Sequence, residues 1–165
     1  MKSDNPDEVK TPTLEAILQN NADIDNMDSN GWTALHHAAY TGDLASVQTL
    51  LNAKANANAF SNQKRSPLHF AAINNHIDII KLLLESKAKL EWRDEHACTP
   101  LHLACKKGHL KAVTILLASR ADIYALDHRQ WSPLHYASYN GHRLICNLLL
   151  KWDADKDKLR DLKNS

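Results

Sequence analysis

Residues 99–117 read TPLHLACKKGHLKAVTILL, and this stretch decides how the rest of the chain is to be taken. A hydroxyl residue, Thr99, stands before Pro100. The pair suits the start of a helix, because the hydroxyl satisfies an otherwise orphan amide and proline presets the backbone at the first helical position. Gly108 ends that helix, since it tolerates the left-handed conformation of a helix terminus. Leu110, Val113, Leu116 and Leu117 then follow at spacings of three and four, which place them on one face of a second helix.

The same text recurs along the chain. Leu-His stands at 35–36, 68–69, 101–102 and 134–135, and Leu-Leu at 50–51, 83–84, 116–117 and 149–150, each in steps of 33 residues. Ala22, Ala55, Ala88, Ala121 and Ala154 form a third series with that step. Self-similarity of this period marks a stacked-repeat architecture. The first helices are expected over 33–41, 66–74, 99–107 and 132–140, closing at Gly42, Asn75, Gly108 and Gly141. Stretches such as Asp122 to Trp131 lack a helical period and are expected to project as β-turns or hairpins. Alanines at 38, 71, 104 and 137 let neighbouring units approach closely.

TALHHAA, SPLHFAA, TPLHLAC and SPLHYAS, followed by LLNAKAN, LLESKAK, LLASRAD and LLKWDAD, resemble ankyrin repeats. The resemblance implies an all-α solenoid of stacked helix-turn-helix units with projecting loops. Its full repeats cover 28–60, 61–93, 94–126 and 127–159. A partial repeat covers 11–27, where ILQNNADID matches the end of a unit. Residues 1–10 are expected to be a flexible leader, and 160–165 the start of a further repeat or a tail, as in a segment cut from a longer protein. Two departures stand out. Where the family commonly has glycine after the second helix, this chain has Asn21, Lys54, Lys87, Arg120 and Asp153, so modest stability or a differently wound helix end is expected. Arg143 takes the place of Leu44, Ile77 and Leu110, which are expected to face the core, and Leu144 replaces Ala45, Asp78 and Lys111. The last helix is therefore expected to be shifted or covered.

Composition narrows the function. Lys and Arg number 20 against 19 Asp and Glu, too even for an unaided nucleic-acid binder. No apolar run approaches the roughly 18–20 residues that span a bilayer, and residues 1–10 are too acidic for a secretory signal. Cys98, Cys105 and Cys146 are odd in number and lack CxxC spacing, which points away from disulfides and zinc and toward a reducing compartment, cytosol or nucleus. Cys105 is expected to be a buried, inert thiol and Cys98 a loop thiol open to solvent.

The chain has ten histidines. The resemblance implies that His36, His69, His102 and His135 bond backbone within and between units. His76, His109 and His142 share a second repeated place, and ligands that march along a stack do not converge on a metal. His96 and His128 fall in the loops, while His37 is expected to be a partly buried helix residue. There is no HExxH, GxSxG, GxxxxGK[ST] or GxGxxG, so neither catalysis nor a cofactor is indicated. The resemblance also allows hydroxylation of Asn58, which follows Leu50 by eight residues.

By the same resemblance, a partner is expected on the concave side, on the loop tips and the exposed end of each first helix. Carried over position by position, the candidate binding residues are Trp32, Tyr40, Phe60, Arg65, Arg93, His96, Lys106, Lys107, His128, Arg129, Trp131 and Tyr139. Five of the ten Phe, Trp and Tyr residues fall in this set. Over all the loop-tip and helix-end positions, Arg65, Arg93, Lys106, Lys107 and Arg129 stand against Glu95 alone, a surplus of four cations. A protein partner with an acidic segment that carries apolar or aromatic side chains is expected, with no small-molecule substrate. The reading is a non-catalytic interaction module, a scaffold or adaptor. The alternative is the recognition domain of a larger enzyme, channel or ubiquitin-ligase adaptor whose activity lies elsewhere.

Overall fold

The computed structural model describes Gln19 and residues 23–163, with side chains over residues 23–155. The leader and most of the half unit lie outside the described residues. Among the described residues from 23 on, eight helices follow in pairs: α1 (Ala34–Thr41) and α2 (Leu44–Asn52), α3 (Pro67–Ile73) and α4 (Ile77–Glu85), α5 (Pro100–Lys107) and α6 (Leu110–Ala118), α7 (Pro133–Tyr139) and α8 (Arg143–Lys163). No strand occurs among the described residues. First helices pack on first helices and second on second, which makes a two-row stack.

Each unit begins in the same way. The side chains of Thr33, Thr99 and Ser132 accept from the amide of the histidine three residues on, and the imidazole reaches back to the cap residue's own amide. At Thr33 that amide donates to His36 Nδ1 at 3.0 Å, and the equivalents at His69 and His102 are both 3.1 Å. Nδ1 is therefore the bare nitrogen and Nε2 carries the proton. Nε2 donates to a carbonyl 29 residues on, at Arg65, Cys98 and Trp131 respectively, each at 3.0 Å. These three imidazoles are fully buried. Burial outweighs the carbonyl bonds that favour the charged form, so it holds His36 and His69 down to about 4 and lowers His102.

The second histidine series stitches the rows from the other side. His76, His109 and His142 donate from Nε2 to the carbonyls of Tyr40, Ile73 and Lys106, at 3.0, 2.8 and 3.1 Å. Glycine gives room where two of these rings pass: a Cβ on Gly42 or Gly108 would lie 2.6 or 2.5 Å from the ring of His76 or His142. Asn75 holds the same left-handed place in the second unit at φ 59°, and its Oδ1 is buried without a protein hydrogen-bond partner.

Apolar burial follows the repeat. Leu35, Leu68 and Leu101 are sealed between units, with Val47, Leu50, Ile80, Leu83, Val113 and Leu116 beneath them. Each such side chain contributes about 1.5–3 kcal/mol relative to exposure. The alanines at 38, 71, 104 and 137 are all buried, as close approach of first helices requires.

Three expectations need correction. Leu44 and Leu110 are 42% and 37% exposed, so their place lies at the rim and Arg143 there displaces no core residue. Cys98 is buried, because the loop folds its fifth residue back under the next unit. The last helix is longer than its counterparts: α8 runs to Lys163, so Asp153, expected just after that helix, lies within it. Lys54, Lys87 and Arg120 do take up positive φ, at 68°, 66° and 71°.

Two stability outcomes follow. Asn75→Gly removes an orphaned oxygen and a left-handed side chain together and raises the unfolding free energy by about 1–2 kcal/mol in urea titration. The buried histidines stay neutral when folded, whereas in the unfolded chain they bind protons below about 6.5. Stability is therefore full above that pH and falls as pH drops from about 6.5 toward 4, by on the order of 3 kcal/mol for each of His36 and His69. Urea midpoints measured at pH 7, 6 and 5 check this; a flat profile contradicts neutral burial.

Candidate functional site

The loops that precede each first helix are built by their first side chain. Asp28 Oδ1 accepts from the amides of Asn30 and Trp32, each at 2.9 Å. Asp94 and Asp127 do the same for His96 and Cys98 and for Arg129 and Trp131, over 2.8–2.9 Å. Ser61 takes this place in the second unit. Neighbouring tips are then joined by one backbone bond each: Asn62 to Asn30, Glu95 to Gln63 and His128 to His96, all 3.0 Å. The tips thus form a continuous row with their side chains outward.

The fifth loop residue and the outer end of the first helix share a face. Trp32 lies 5.3 Å from Tyr40, and three units on Trp131 lies 5.3 Å from Tyr139. At the first platform Phe70 closes against Trp32 at 4.4 Å, and His37 lies at 4.9 Å. At the second, Tyr136 packs edge-on to Trp131 at 5.3 Å, with His135 stacked at 6.2 Å. Tyr40 and Tyr139 remain 47% and 78% exposed. Phe70 and Tyr136 were not among the sequence candidates. Both sit at the inner place shared with His37 and Leu103, and that register was the available signal.

Cations gather at the second platform. The Arg129 guanidinium lies 4.6 Å from the Trp131 ring centre and 5.6 Å from that of Tyr136, and Lys106 Nζ lies 5.9 Å from Tyr136. Arg129 also donates to Tyr136 Oη at 2.9 Å, and that hydroxyl donates to Asp127 Oδ2 at 2.6 Å. Burial raises the Asp127 carboxyl, but the bonds from Tyr136 and the Trp131 and Arg129 amides together hold it below its ordinary value. Lys107 is exposed beside Lys106. Among the other candidates, Arg93 donates to the Leu126 carbonyl at 2.7 Å, His96 lies 3.6 Å from Glu95, and His128 is exposed. Phe60 stacks on Trp92 at 5.6 Å, with Lys89 5.1 Å from the Trp92 ring.

The expected surplus of four cations is too large. Arg65 is only 25% exposed and pairs with the buried Asp94 at 3.3 Å, and Asp127 sits 3.8 Å from Arg129. With these two acids counted, five cations in units two to four face three acids. The loop-forming carboxylates were overlooked because they point inward. His37 has an acid at hand too, Asp28 at 2.8 Å.

Among the described residues no three His, Cys, Asp or Glu converge as metal ligands, and no helix is long and apolar enough to cross a membrane. Burial raises the thiol pKa of both Cys98 and Cys105, so neither is a nucleophile near neutral pH. Asn58 is half-buried, with its side chain donating to the Lys87 carbonyl at 3.2 Å and accepting from the Lys89 amide at 2.7 Å.

No curated protein matches the chain. The family model for ankyrin repeats, in three copies, matches residues 8–94 and again 89–160. With that coverage, and with the paired helices stacked as the 33-residue step demands, the chain belongs to the ankyrin-repeat family.

Proposed function

We propose that this chain is a non-catalytic module that binds another protein through its loop tips and the outer ends of its first helices. Ankyrin repeats in general are protein-interaction modules. The observation that carries the reading here is Tyr139, 78% exposed against Trp131 and flanked by Arg129 and Lys106. A large ring held rigid by its neighbours and left in water loses little conformational freedom on binding and gains much from being covered. The adjacent cations select an acidic segment and exclude a basic one. Three free cysteines, two of them buried, are in keeping with a reducing compartment such as cytosol or nucleus.

Lys106→Glu/Lys107→Glu tests this surface without touching the core, because both side chains are exposed. Peptides selected from a random library on the wild type are expected to be acidic and to lose tenfold or more in affinity for the double variant at an unchanged melting temperature. Equal affinity for the two folded proteins overturns the assignment of the surface.

A further inference from the structure

Along the stack, the fifth loop residue runs Trp32, Arg65, Cys98, Trp131, and the outer helix residue runs Tyr40, Ile73, Lys106, Tyr139. Paired aromatics at these places therefore occur only in the first and fourth units, with the same ring separation in both. Between them the face has no such ring pair: Arg65 is spent on Asp94, Cys98 is buried, Ile73 is part-buried, and Lys106 and Lys107 stand exposed, with Lys106 Nζ 5.9 Å from the Tyr136 ring of the second cluster. The arrangement is two apolar platforms with cations between them, nearer one end.

We propose that the occupant is a single extended acidic peptide segment that sets two large apolar side chains, eight or nine residues apart, on the Trp32–Tyr40 and Trp131–Tyr139 platforms. The inference rests on the protein-binding reading above and specifies its ligand. Three helix-packing steps of about 8–10 Å separate the platforms by roughly 24–30 Å. An extended chain at about 3.3 Å per residue covers that span in eight or nine residues. Its carboxylates belong on the side of the Trp131 anchor, where Lys106, Lys107 and Arg129 lie within two adjacent units. A segment with one anchor leaves one platform in water. With two, the second contact forms at the high effective concentration set by the short link, so affinity rises well beyond that of either end.

The test uses fluorescein-labelled synthetic peptides and the full chain, read by fluorescence anisotropy. One peptide carries Trp at i and i+9 with Glu between them. Controls move the second Trp to i+4 or to i+18, the latter suiting a helix, replace either Trp by alanine, or exchange Glu for Lys, each also in reversed order. The i, i+9 peptide is expected to bind at least tenfold tighter than every control in one of the two orders. Tyr40→Ala and Tyr139→Ala, both at exposed rings, are expected to reduce it to the level of a single anchor, with circular dichroism melts confirming folding. Equal affinity across the spacings, tighter binding at i+18, or indifference to both tyrosine substitutions overturns the proposal. If none of these peptides binds while library-selected ligands are lost on Lys106→Glu/Lys107→Glu, the two-platform geometry is wrong and the protein-binding reading stands. Ligands indifferent to every substitution on this face bring down both.

Discussion

One neutral imidazole, used at both ends, holds this structure in register. In each of His36, His69 and His102, Nδ1 closes the start of its own helix and Nε2 donates across to the next unit's loop. A buried ring with both nitrogens satisfied costs little, whereas the same ring with either partner removed leaves a buried polar group to desolvate. The bond from Nε2 always lands 29 residues on, which is why the sequence must repeat in fixed steps. The second series, His76, His109 and His142, fixes the opposite ends of the same first helices. Between the two series, the first helices have little freedom to slide or rotate.

That rigidity releases the outer positions. Once loops are shaped by Asp28, Ser61, Asp94 and Asp127 and joined tip to tip by backbone bonds, the side chains at the tips carry no structural duty common to all units. Trp, Arg, Cys and Trp can therefore occupy one repeated place. The variation is not random in its chemistry: rings gather in the end units, and each cluster is closed by a buried ring, Phe70 or Tyr136, from a first helix. The buried acids beneath the loops temper the cationic charge above them, so the face is mildly rather than strongly basic.

Much of this was legible in the amino-acid text. Thr-Pro-Leu-His and Leu-Leu in step predicted every first helix to within a residue or two at either end, and Gly42, Asn75, Gly108 and Gly141 predicted where those helices stop. The remainder depended on neighbours outside the local pattern. Lys64, Ala97 and Gln130 sit at positive φ because the loop-forming carboxylate or hydroxyl bends the backbone there, and none of these residue types announces it. Leu44 and Leu110 have the spacing of core residues, yet the helix starts too near the rim for them to be covered. Cys98 is enclosed by Tyr136 and Asp127 from a unit that begins about thirty positions later. Pairings of this kind become visible only once the units are stacked.

Side-chain nitrogen NMR of the buried histidines tests the shared-imidazole constraint most directly. For His36, His69 and His102 the predicted result is the Nε2–H tautomer at neutral pH, with His36 and His69 untitrated down to about pH 5 and His102 titrating below the ordinary histidine range. Protonation at Nδ1, or a transition near the ordinary histidine value of about 6.5, would show that these rings do not join one unit to the next, and the register of the whole stack would need another cause.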